Sequence, residues 1–361
     1  MIFLRATLRE FATTGVAVFS VLLAITFSSA LIRYLGLAAR GTVPPDAVLV
    51  LLALSALSTV SVLLSATVFL AVLLAMTRSY RDSEMIVWQS SGLGLLSWFK
   101  PVLVFAAPVM LLVAVLSLYL TPWAIGKAEE FRHQLENRDD VSAVTPGMFK
   151  ESKNADRVFF VEKLSSDLTQ VANVFVQEVR GGRVWVGVAS RGYLETAGNG
   201  DRFLVAVNGR RYSGTPGQAD YRVEEFGRYA VRIEQSAAKS YLPSQKSLAT
   251  PLLLQDLKPA NRAELSWRFG LPLSTIVLAL LAIPMSAVNP RTGRFVNLLT
   301  AVFLYMIYSN LVSIAQAWVA QAKIDVMVAM GLVHGSMVLL LIVLLARRMG
   351  YLRLRRLRPA G

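Results

Sequence analysis

Apolar and charged positions sort into blocks along this chain rather than mixing evenly. Six stretches contain no Asp, Glu, Lys or Arg: Phe11–Ile32, Ala47–Thr77, Pro101–Gly126, Phe269–Pro290, Phe295–Ala322 and Val326–Ala346. Each is at least 21 residues long, and about 20 apolar residues suffice to cross a bilayer core as a helix. The pattern predicts six transmembrane helices, at 11–35, 47–77, 100–126, 267–289, 295–321 and 325–347. Between the third and fourth the period changes. After a charged, helix-compatible extension, "KAEEFRHQLENRDD", come "RVFFVEKL", "VANVFVQEV", "RVWVGVASRGYLE", "RFLVAVNGRRYSG" and "YRVEEFGRYAVRIE". These runs alternate apolar with polar residues and are parted by turn-rich pieces such as "AGNGD" and "TPGQAD", which marks antiparallel strands. The fold class expected is an α-helical membrane protein with an all-β, jelly-roll-like domain inserted between its third and fourth spans. The boundaries fall at 1–126 for the first membrane half, 127–264 for the β domain, 265–349 for the second half and 350–361 for a basic tail.

Composition agrees: 55% of the 361 residues are hydrophobic, too many for a soluble domain of this size. The first apolar run exceeds the length of a signal-peptide core, so it reads as a retained span, with "MIFLRATLRE" lying along the inner surface. Cysteine is absent, which removes disulfide and thiolate chemistry. The net charge of +14 invites a nucleic-acid reading, but residues 127–268 hold 21 Lys/Arg against 18 Asp/Glu, leaving +11 at the ends of the apolar runs. Charge so placed serves headgroups and topology. No nucleic-acid partner is expected. Arg5, Arg9, Arg78, Arg81, Lys100, Arg291, Arg294 and the tail arginines lie on one side, against Arg33, Arg40 and Lys323 on the other. The positive-inside rule puts both termini in the cytoplasm and the β domain outside.

Candidate chemistry is sparse. The β domain carries one histidine, His133, and scattered acids, without a metal-spaced cluster or a carboxylate pair. Ser165 and Ser166 in "KLSSDLT" read as turn residues. Within the uncharged runs the sole ionisable side chain is His334, read as a hydrogen-bonding residue rather than a proton relay. An ion-coupled transporter would keep an intramembrane carboxylate. No Walker-type phosphate loop occurs, so no cofactor is expected on this chain, and any ATP and Mg²⁺ would be used by a separate ATPase.

"RDSEMIVWQSSGLG", residues 81–94, lies on the cytoplasmic side between two spans. Ser83 is placed to cap a short helix at 82–94, and Glu84 sits in its first turn, where the dipole favours negative charge. Met85, Ile86, Trp88 and Gln89 would form a partly apolar face, and Gly92 can end the helix. Such a helix either lies on the membrane or inserts into the cleft of an ATPase. Arg33, at the outer end of the first span, either snorkels to ordinary lipid phosphates or meets an anionic head group of a cargo leaving the bilayer.

Several segments together carry a resemblance: "FLRATLREF", "SEMIVWQSSGLG", "TPGMF", "AELSWRFGLPLSTIVLALLAIPMSAVNPRTGR" and the basic tail ending "RRLR". The chain resembles the LptF/LptG permeases of the lipopolysaccharide exporter, closer to the LptF branch. That resemblance implies a heterodimer with an LptG-like permease, a dimer of an LptB-like ATPase, an LptC-like bitopic protein and a periplasmic LptA-like bridge. It implies an inner-membrane location, with lipopolysaccharide entering between the first and fifth spans of opposite subunits. It makes Glu84, with Ser83, Met85 and Trp88, the ATPase-coupling residues. Arg33, Phe27, Leu304, Tyr305 and Tyr308 become the cavity rim and gate, and Phe149, Phe160 and Phe175 an acyl-chain groove in the β domain. A second basic residue common just before Arg33 in relatives is Ala30 here. The Asn289–Arg294 loop is shared with relatives. Two other readings stand beside this one. A lipoprotein-releasing or mechanotransmitting permease would place its large domain after the first span, and a membrane-anchored envelope enzyme would need a catalytic cluster.

Overall fold

The computed structural model describes residues 2–40, 42–136, 149–151, 157–164, 170–180, 182–196, 202–233, 242–287 and 294–350. Ser165, Ser166, most of "TPGMF", Asn289–Gly293 and the tail from Tyr351 lie outside these. The chain divides into two units, Met1–Glu130 with Pro243–Gly361, and Phe131–Leu242.

The first unit is helical. Its elements are α1 (Ile2–Ala39), α2 (Val48–Arg81), α3 (Glu84–Ser90), α4 (Phe99–Val115), a π-helical turn at Leu116–Leu120, α5 (Thr121–Glu136), α6 (Thr250–Gln255), α7 (Pro259–Ser286), α8 (Arg294–Ala320) and α9 (Val326–Arg348). Among the described residues, six helical stretches are long and apolar enough to cross a membrane. The opening "MIFLRATLRE" is not a separate surface helix, because α1 runs without a break from Ile2. Similarly, α7 begins at Pro259, well before the uncharged run, and takes Glu264 and Arg268 into the span. The expectation that His334 is the sole ionisable side chain inside a span is therefore corrected.

α7 is the centre of this unit, packing against α2, α4, α8 and α9. Lipid tails are as apolar as leucine, so association depends on close packing and on hydrogen bonds between helices. The buried face of α7 accordingly carries Gly270, Ser274, Thr275, Ala279, Ala282 and Ser286. Thr275 donates to Ser65 Oγ of α2 at 2.9 Å. Pro272 inside α7 frees the Arg268 carbonyl four residues earlier, and Ser117 donates to it at 3.1 Å, the kind of replacement that lets proline sit in such a helix.

The second unit contains a six-stranded antiparallel sheet of β1 (Phe149–Glu151), β2 (Arg157–Leu164), β3 (Gln170–Arg180), β4 (Arg183–Thr196), β5 (Arg202–Gly214) and β6 (Arg222–Ile233). Each strand pairs with its sequence neighbour, in the order β1-β2-β3-β4-β5-β6. A jelly roll needs two sheets and Greek-key crossings, whereas the described strands form one meander. Asn173 and Asn208 adopt left-handed backbone angles, φ 49 and 52°, a region asparagine tolerates better than most residues. Glu162, Asn173, Ser190, Asn208 and Gly227 all fall in gaps of the pairing register. One transverse line thus interrupts the ladder across five strands. Beside it, a Cβ on Gly209 would come within 2.4 Å of the Val188 carbonyl, so only glycine fits.

Candidate functional site

The seven-residue α3 is too short to hold its own shape in water; its contacts define it. Ser83 precedes it with φ 61° and makes no side-chain cap. That residue also ends α2, whose C-cap is Asp82, and its left-handed backbone lacks the extended geometry that side-chain capping requires. The capping expected of Ser83 is corrected. At the other end Gly92, φ 86°, donates to Gln89 O at 3.0 Å while Leu93 donates to Trp88 O at 3.0 Å. These two bonds make a glycine stop of Schellman type.

α3 is fastened to the start of α1. Phe3 packs its ring 4.9 Å from Trp88 and 5.0 Å from Trp98, pairs worth about 0.5–1.5 kcal/mol each beyond burial. Arg78, at the end of α2, lies 2.6 Å from Glu10 of α1, 3.2 Å from Asp82 and 3.2 Å from Glu84. Ser79 donates to Glu84 at 2.9 Å. All four charged groups are partly exposed, so each pair adds only about 0.2–1 kcal/mol. Their value is geometric. Three acids around one guanidinium tie α1, α2 and α3 together, and Glu84 remains reachable at the rim.

The outward face of α3 differs from the one expected. Met85 is 2% exposed and belongs to the core with Trp98, and Trp88 is half-buried under Phe3. The exposed apolar surface is Ile86 and Val87, at 68% and 63%. Sequence reasoning missed Glu10, Phe3 and Arg78, and only the amphipathic opening of the chain hinted at a partner for α3.

At the far end of α1, Arg33 is exposed, donates to Ser55 Oγ at 3.2 Å and lies 5.0 Å from the Tyr34 ring. Ala30 is buried. Phe27 is exposed on α1. Leu304 and Tyr305 are half-buried on α8, whereas Tyr308 is 1% exposed and bonds His334 Nδ1 at 2.6 Å. Tyr308 therefore points into the bundle and not onto an open gate. Within one chain α1 packs on α2 and α4, and α8 on α7 and α9, so Phe27 and the α8 residues sit on different packing faces. A cavity of about 20 Å³ between α2, α7 and α8 is lined by Ser65, Ser274, Tyr305, Tyr308 and Ser309 among others, room for one water.

In the sheet, Phe149 pairs with Phe160, Phe160 with Phe175, Phe175 with Val188 and Val188 with Arg210. Directly opposed residues share a face, so the three phenylalanines form one ladder, with Phe149 4.7 Å from Phe160 and 5.8 Å from Phe175. The same row leads into an open groove of about 690 Å³ lined by Val188, Ser190, Asn208, Arg210, Tyr212 and Phe226, with others.

Among the described residues, six long apolar helices beside a separate antiparallel sheet mark a multi-pass membrane protein. This chain belongs to the family described as lipopolysaccharide export system permease LptF/LptG, whose model matches residues 5–347. It is 29% identical over 311 residues to the lipopolysaccharide export system permease protein LptF of Escherichia coli K12, an alignment covering 85% of this chain and 84% of that protein. LptF of Shigella flexneri matches to the same extent.

Proposed function

We propose that the chain is the LptF-side permease subunit that lifts lipopolysaccharide out of the outer leaflet of the inner membrane, driven by an ATPase bound at α3. The observation that carries this is the fastening of α3 to α1 through Phe3 and Arg78. A push on α3 reaches the first span at once, and in the proposed complex that span borders the cargo's entry. ATP and Mg²⁺ stay with an LptB-like ATPase dimer, docked on Ile86, Val87 and Glu84. The positive-inside charges support a cytoplasmic α3, cytoplasmic termini and a periplasmic β unit.

The exposed apolar faces of α1 and α8, from Val16 to Ile32 and from Val296 to Trp318, suit an LptG-like partner and the cargo between the two subunits. Phe27, Leu304 and Tyr305 would form the gate. Arg33 would meet a lipid A phosphate by charge-assisted bonds, with Ala30 leaving a single basic residue there. The Phe149–Phe160–Phe175 ladder would take acyl chains, which water rejects, before transfer to LptC-like and LptA-like proteins. Affinity purification of the membrane complex, then reconstitution in vesicles containing lipopolysaccharide, tests this. A co-purified ATPase and ATP-dependent release of lipopolysaccharide are expected; retention of a different lipid or a lipoprotein would replace the cargo.

A further inference from the structure

A buried polar centre lies at the opposite end of the bundle from α3. Arg268 and Glu264 of α7 are buried, and Arg268 Nε lies 2.9 Å from Glu264 Oε1. The rest of the guanidinium is committed to the segment that follows the β unit. One terminal nitrogen donates to Thr250 Oγ1 at 2.8 Å, and the other to the carbonyls of Gln245, Lys246 and Leu248 at 3.2, 3.1 and 2.9 Å. Thr250 in turn donates to Leu118 O at 2.5 Å, and Ser117 to Arg268 O at 3.1 Å. Ser117 and Leu118 both belong to the π turn between α4 and α5, the kind of bulge that frees backbone carbonyls and gathers at functional sites. Gln316 of α8 reaches Glu264 Oε2 at 3.4 Å. Just beyond, Ser244 donates to Glu129 of α5 at 2.6 Å.

A buried ion pair is a poor device for stability alone, since apolar residues of the same volume often serve as well. What leucine cannot do is hold the three carbonyls of this irregular segment in place. Lysine cannot do it either, because the contacts use the planar fork of arginine. Resting on the permease reading above, we infer that Arg268 is a positioning residue for transport. It locks residues 245–250, the return from the β unit, to α7, α8 and the π turn, so that movement of the bundle is delivered to that return segment and not dissipated in it.

The test uses the full reconstituted complex and reads lipopolysaccharide released per ATP hydrolysed, alongside thermal stability. Arg268→Lys and Thr250→Val should each lower that ratio by about fivefold or more, with cargo-free ATPase and assembly retained. A structural role alone would lower stability and both activities together, with the ratio constant; that outcome overturns the inference. If Arg268→Lys does not assemble, Thr250→Val, which keeps the ion pair, decides by the same ratio. Failure of the wild-type complex to release lipopolysaccharide at all would instead strike the permease reading, leaving the two failures distinct.

Discussion

Arg78 and Glu84 face one another across 3.2 Å, and the same guanidinium stands 2.6 Å from Glu10. A residue at the end of the second span thereby joins the start of the first to the helix that would meet the ATPase. Glu84→Ala should cut ATPase co-purification or coupled export about tenfold or more, the effect of at least about 1.4 kcal/mol of lost docking energy. Expression and membrane insertion should be unchanged, because the pairs are partly exposed and add little to folding. Quantitative pull-down checks this, and full retention of the ATPase by the variant would remove the coupling role.

Phe3→Ala separates mechanical linkage from docking. It deletes the ring between Trp88 and Trp98 and leaves Glu84, Ile86 and Val87 in place. The ATPase should still bind, while cargo-stimulated hydrolysis falls. Equal stimulation in the variant and the parent would show that α1 is not driven through this contact.

The Tyr308–His334 bond, 2.6 Å long and buried between α8 and α9, gives a stability prediction. Tyr308→Phe strands an imidazole nitrogen inside the bundle, at a cost of about 1–3 kcal/mol. Thermal unfolding of the purified protein in detergent should move down accordingly.

Much of this architecture can be read from residues alone, and the exceptions have physical causes. The uncharged runs locate the spans because insertion penalises every exposed charge. That rule starts α7 too late, since Glu264 and Arg268 neutralise each other and share their hydrogen bonds with a segment that no local pattern connects to them. Alternation finds the strands, and β2 coincides with "RVFFVEKL". It does not reveal pairing order, so the expected jelly roll and the observed meander were equally compatible with it. At α3 the glycine stop is legible from Gly92. The burial of Met85 is not, because in seven residues two apolar faces look alike until Phe3, from the start of the chain, and Trp98, from the turn that follows, close over one of them.

In the β5–β6 turn, Asp220 accepts from the Thr215 N–H at 2.8 Å and its hydroxyl at 3.0 Å, with Arg183 3.2 Å away. The Thr215 hydrogen bonds, helped by Arg183, hold the Asp220 carboxyl below its ordinary range. A depressed carboxylate contributes stability above its unfolded pKa and loses it as pH falls through the folded value. Asp220→Asn should therefore loosen the turn at neutral pH, read as faster proteolysis between β5 and β6. The difference from the parent should shrink as the medium is acidified below about pH 4. A constant difference across that range would assign the effect to shape instead of charge.

Gly209→Ala should break the sheet at its interrupted row, because the new methyl meets the Val188 carbonyl and the Phe226 ring. Limited proteolysis should cut the β unit of this variant while the helical unit stays intact.

Photo-crosslinkers placed at Phe27 and Leu304 in the assembled, ATP-supplied complex address what the membrane helices carry. Lipopolysaccharide should be captured at both positions, and capture should respond to ATP hydrolysis. Adducts formed only with bulk phospholipid, unaltered by ATP, would mean that these helices do not border a path for lipopolysaccharide.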